Sequence, residues 1–92
     1  MIKKFKNKGL KELFFDGRTA KIDSKMQARC VEVLNVIHRA NNVQALNLPG
    51  YNLHQLKQYN PIRFSIWISG QWRITFEFEK GDAYRVDFEQ YH

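Results

Sequence analysis

The chain has one cysteine, two prolines and no long apolar run, and each scarcity removes a class of explanation. Cys30 alone makes neither an internal disulfide nor a cysteine-based zinc site, so it is expected to fill core. No stretch approaches the 18 or so apolar residues of a membrane span, and the basic opening MIKKFKNKGLKELFF leads into neither an apolar segment nor a small-residue cleavage site. A cytoplasmic protein with no membrane partner is expected. The HExxH, GxGxxG, P-loop, GxSxG and CxxC patterns are all missing, so metalloprotease, dinucleotide, phosphate-loop, hydrolase-elbow and redox readings lack their parts. The residues imply no metal.

Acidic residues are missing from nearly half the chain: none occurs between Glu32 and Glu77. Residues 1–76 hold thirteen Lys or Arg against four acids, and residues 77–92 hold two against five, which together give the net charge of +6. Unpaired cations on one surface suit an anionic partner such as nucleic acid, though a solvated basic face kept for solubility explains them equally well. At 92 residues, 43% hydrophobic and 26% charged, the composition is that of an ordinary globular chain, with length for a single domain over 1–92.

The pattern along the chain predicts an α+β fold. MIKKF can form a short edge strand, and Asn7 can cap a helix that places Leu10, Leu13 and Phe14 on one side before Gly17 stops it. Asp23 or Ser24 can cap a second helix, in which Met26, Cys30, Val33, Ile37 and Ala40 recur at spacings of four and three. NNVQALNLPGYN reads as a connector with at most one helical turn, and the remainder reads as strand. Phe64, Ile66 and Ile68 alternate with Arg63, Ser65 and Trp67, and Trp72, Ile74, Phe76 and Phe78 alternate with Arg73, Thr75 and Glu77. Tight turns at Ser69-Gly70 and Lys80-Gly81-Asp82 imply an antiparallel meander. The expected architecture is an N-terminal short strand and two to three helices packed on one face of a central, mainly antiparallel β-sheet.

Strand parity then sorts the side chains. With Trp72, Ile74, Phe76 and Phe78 toward the helices, Arg73 and Thr75 point to the opposite face as a cation and a hydroxyl open to water or ligand. In the last strand Tyr84, Val86 and Phe88 are expected inside, with Arg85, Asp87, Glu89 and Tyr91 sharing the face of Arg73. Three histidines remain for proton chemistry: His38 beside the apolar seam of the second helix, His54 in YNLHQLK, and His92 at the end. Histidines, a tyrosine and cations on one sheet face suit RNA cleavage by its own 2′-hydroxyl. That reaction needs a base, an acid and cations for the phosphorane charge, and histidine titrates near cellular pH.

IKKFKNKGLKELFFDG, YNLHQLK, WRITFEF, GDAY and the terminal YH, in this order and spacing, resemble the HigB branch of the RelE-like toxins of bacterial toxin–antitoxin systems. The resemblance implies a toxin that enters the ribosomal A site, against ribosomal RNA, and cleaves messenger RNA during translation, leaving a cyclic phosphate without metal or organic cofactor. It also implies a HigA-type helix-turn-helix antitoxin, with operator DNA bound only through the toxin–antitoxin complex. Matched residue by residue, His54, Arg73, Tyr91 and His92 become the catalytic group, and Lys57 is joined by Arg63 as an RNA contact. The family's terminal Asp-Tyr-His is here Gln90-Tyr91-His92, so a carboxylate is lost at position 90, and restoring Asp there is expected to raise cleavage. A basic RNA- or DNA-binding module without catalysis, or a structural partner of an acidic protein, would also use this surface.

Overall fold

A computed structural model describes residues 1–91; the expected site residue His92 lies outside them. Helix α1 (Lys8–Asp16) begins where the Asn7 side chain accepts from the Leu10 N–H at 2.9 Å and ends at Gly17, whose φ of 79° is the left-handed conformation that favours glycine. Helix α2 (Ser24–Arg39) is capped by Asp23, which accepts from the Lys25 N–H at 2.9 Å. A single 3-10 turn (Val43–Leu46) follows, as the connector pattern predicts. Four strands, β1 (His54–Leu56), β2 (Arg63–Ser69), β3 (Trp72–Glu79) and β4 (Asp82–Gln90), then form an antiparallel sheet in the order of the chain.

The N-terminal segment joins the sheet beside β4. Ile2 and Phe5 make parallel bridges to Ala83 and Val86, and the Lys3 N–H donates to the Ala83 carbonyl at 2.8 Å. His38 takes part in holding this segment: its Nδ1 accepts from the Ile2 N–H at 3.1 Å, and its ring lies against Phe14. Of the three histidines available for proton chemistry, His38 is thus engaged in packing.

Both helices cover one face of the sheet, where Leu10, Leu13, Val33, Leu34 and Ile37 meet Ile66, Ile74, Phe76 and Val86. Each such side chain contributes about 1.5–3 kcal/mol by leaving water, which gives this face its hold on the sheet. Cys30 belongs to that core, and burial pushes its thiol up to about 12, so it is inert packing as expected.

The expected parity of β4 fails at one residue. Arg85 has φ 49°, and between the pairs Thr75–Asp87 and Glu77–Tyr84 β4 spends one residue more than β3. This bulge resets the alternation: Ala83 and Val86 are buried, and Tyr84 moves to the face expected for its neighbours. Beyond the bulge the expected parity is recovered, so Asp87, Glu89 and Arg73 share the face opposite the helices.

Candidate active site

The face away from the helices is laid out in rows by the strand register. His54, Ser65, Thr75 and Asp87 stand side by side across the four strands. One row toward the β2–β3 turn come Trp67, Arg73 and Glu89; one row the other way come Leu56, Arg63, Glu77 and Tyr84. Neighbouring strands lie about 4.8 Å apart, so side chains in one row are in reach of their neighbours and adjacent rows interleave.

Arg63 is not a free cation on this face. It is 8% exposed, with Nη1 3.2 Å from Glu77 Oε2 and Nη2 donating both to Thr75 Oγ1 and to the Arg85 carbonyl at 3.0 Å. Three acceptors from two other strands satisfy the guanidinium, so the residue expected from sequence as an RNA contact is buried and tied into the sheet. Thr75, expected to be open to solvent, is likewise buried at 3%. Its oxygen accepts from Arg63, and its one hydrogen goes to Glu89 Oε2 at 2.6 Å.

Arg73 has the opposite surroundings. Its Nη1 donates to Ser65 Oγ at 3.3 Å, its guanidinium carbon lies 4.1 Å from the centre of the Tyr91 ring, and among the described residues it forms no ion pair. Tyr91 is held over it because the Tyr91 N–H donates to the Gln71 carbonyl at 2.6 Å, continuing the edge of β4 past Gln90. The expected proximity of Tyr91 to Arg73 is therefore a direct cation–π contact.

A shallow pocket of about 210 Å³ opens at this point, with Ser65, Arg73 and Thr75 beneath it, Tyr59 from the β1–β2 connection on one side, and Glu89, Gln90 and Tyr91 on the other. His54 and Lys57 are exposed, one at the start of β1 and the other in the turn after it, and neither lines the pocket. Trp67 is an exposed indole in the row of Arg73, fixed by donation of its Nε1 hydrogen to the Gly70 carbonyl at 2.9 Å. Sequence reasoning placed Trp67 on the correct face without giving it a role; an aromatic among polar alternating residues was the available signal.

The site thus combines a recessed guanidinium, without an ion pair among the described residues, with aromatic faces on a basic chain, an arrangement chemically suited to a phosphodiester and stacked bases. Residues 3–92 match the family described as RelE-like toxin of type II toxin-antitoxin system HigB. A curated protein of Proteus vulgaris, Endoribonuclease HigB, is 42% identical over 92 residues, covering the whole of both chains.

Proposed function

This chain belongs to the RelE-like HigB toxins of type II toxin–antitoxin systems, and on that premise we propose that it cleaves messenger RNA in the ribosomal A site through the pocket over Arg73. As a member of that family it is an endoribonuclease toxin, with RNA as substrate and an antitoxin as partner. The finer reading is a cytoplasmic enzyme whose substrate is ordered by the ribosome and its RNA. Its partner is a HigA-type helix-turn-helix antitoxin, and operator DNA is reached only through the complex of the two.

The guanidinium of Arg73, which has no ion pair among the described residues, is the observation that carries this reading. A phosphate arriving there meets a cation that need not break an existing ion pair, in a recess where the charge is less screened than on the open surface. In the transition state the phosphorane carries an additional negative charge, so the same contact strengthens as the reaction proceeds. Tyr91 orients the guanidinium and the nucleotide. His54 and His92 are the histidines available for proton transfer, and Lys57 supports the RNA backbone from the turn beside His54. Metal takes no part in this scheme, and the 2′-oxygen of the RNA is the nucleophile, which leaves a cyclic phosphate.

The test is cleavage of a message on purified, programmed ribosomes. Arg73→Ala is expected to fall by about 100-fold or more while its thermal melt stays close to the parent, because loss of one such charge-stabilising contact is typically worth about 10²–10³ in rate. An Arg73→Ala protein that cleaves within threefold of the parent would remove the pocket from the mechanism.

A further inference from the structure

Arg73 and Glu89 are directly opposed across β3 and β4 on the same face, yet they form no ion pair. Opposed residues of opposite charge ordinarily meet. Here each is turned aside: Arg73 toward Ser65 and beneath the Tyr91 ring, Glu89 toward Thr75. Glu89 Oε2 is held at 2.6 Å by a hydroxyl whose oxygen already accepts from Arg63, so the hydrogen of Thr75 has one direction open to it. The other carboxylate oxygen, Oε1, has no hydrogen-bond partner among the described residues, and Glu89 borders the pocket.

We propose that Glu89 is the proton acceptor of the cleavage reaction, held in place by the Arg63–Thr75 relay; this rests on the reading that the pocket over Arg73 cleaves RNA. A carboxylate beside a phosphate subsite opposes binding, so its presence there is accounted for by chemistry that needs a base. With the phosphate on Arg73, the adjoining ribose lies over the next strand, that of Glu89. Oε1 takes the proton from the 2′-hydroxyl, the 2′-oxygen bonds to phosphorus, and the phosphorus–5′-oxygen bond breaks. The leaving 5′-oxygen takes its proton from a histidine of the site, giving a 2′,3′-cyclic phosphate and a 5′-hydroxyl.

The charges that face Glu89 are Arg63 from β2, Arg73 and Glu77 from β3, Arg85 and Asp87 from β4, and Lys6 from the N-terminal segment. Glu77 is taken by Arg63 and Arg85, and Asp87 by Lys6. Glu89 is therefore the one carboxylate of this group without an ion pair among the described residues, its side-chain partner being a neutral hydroxyl, and the one left free to accept a proton.

The experiment is single-turnover cleavage on programmed ribosomes with the parent and the Glu89→Gln, Glu89→Asp and Thr75→Val variants. Glu89→Gln keeps the acceptor for Thr75 and loses the base. It is expected to be slower by about 100-fold or more and to bind RNA as well as the parent or better. Glu89→Asp, which keeps a carboxylate, is expected to recover most of the lost rate. Cleavage by Glu89→Gln within threefold of the parent overturns the assignment. So does a loss that Glu89→Asp fails to recover and Thr75→Val matches, because Glu89 would then be a strut. A parent protein inactive on ribosomes would instead sink the reading beneath it.

Discussion

Replacing Arg63 separates scaffold from RNA contact. Its ion pair with Glu77 is almost dry, with side-chain exposures of 10% and 15%, and the same guanidinium also binds Thr75 and the Arg85 carbonyl. Removing one member of a buried pair typically costs about 3–5 kcal/mol, because the other charge is left without compensation. Glu77 keeps Arg85 at 3.5 Å, but that side chain is 68% exposed and screened, so it restores little. We expect Arg63→Met to lose about 2–4 kcal/mol in urea unfolding, and its melting temperature to fall by about 8–32 °C at 4–8 °C per kcal/mol for a domain of this size. Arg63→Lys should recover less than half, since one ammonium cannot reach three acceptors on different strands. Refutation is direct: a variant that unfolds within 0.5 kcal/mol of the parent but no longer binds RNA makes Arg63 the surface contact that its sequence position suggests.

Three further outcomes follow from the same geometry. Trp67→Ala should weaken binding to single-stranded RNA by about 1–3 kcal/mol, the usual worth of one stacked base, and Trp67→Phe should restore most of it; equal binding by all three in a fluorescence-anisotropy titration would make the indole a bystander. Burial pushes both the Cys30 thiol and the Tyr51 hydroxyl up to about 12, from 9.0 and 10.0, and for Tyr51 a hydrogen bond to Glu32 adds to it. Between those limits the unfolded chain releases protons that the folded one retains, so the part of the stability that these two groups supply should be constant below pH 9 and fall from there toward 12, which alkaline urea titrations would reveal or deny. Gln90→Asp alone should change cleavage little while Glu89 is present, a revision of the gain expected from sequence. In Glu89→Gln it should recover at least tenfold, and a double variant no better than Glu89→Gln would show that position 90 cannot take over the carboxylate's task.

Local chemistry was legible where one residue decides the outcome. Asn7, Asp23 and Gly17 set the helix ends because each satisfies backbone groups next to it, and the apolar spacing of α2 fixed its buried side. Alternation placed Arg73, Glu89 and Trp67 on one face. The bulge at Arg85 was not legible, because a left-handed φ is signalled by glycine or asparagine and here falls on an arginine, imposed by the pairing of β3 with β4. That single residue moves Tyr84 outward. Nor could alternation show that Arg63 and Thr75 are buried on the open face, since their burial comes from polar contacts among β2, β3 and β4 whose register no single strand specifies.

Those buried polar contacts explain how a basic protein can carry Glu77, Asp87 and Glu89 beside the pocket it offers to RNA. Glu77 is neutralised by Arg63 and Arg85, and Asp87 lies 3.9 Å from Lys6, so neither presents a free negative charge to a phosphate. In the three rows from that of Arg73 to that of Arg63, subtracting these pairs leaves one cation and one carboxylate among the described residues, Arg73 and Glu89, in the same row on adjoining strands. Had Glu89 been released from Thr75 it could swing to Arg73 and close the site as an ordinary cross-strand ion pair. Thr75→Val should therefore do more than remove a hydroxyl: it should let Glu89 compete with the phosphate for Arg73, weakening RNA binding at low salt and lessening the salt dependence of what remains. Glu89→Gln in that background removes the competitor, so binding should return to the parent's level even though cleavage does not. Binding that stays weak in the double variant would mean that Thr75 supports the pocket in some way other than by holding Glu89 apart from Arg73.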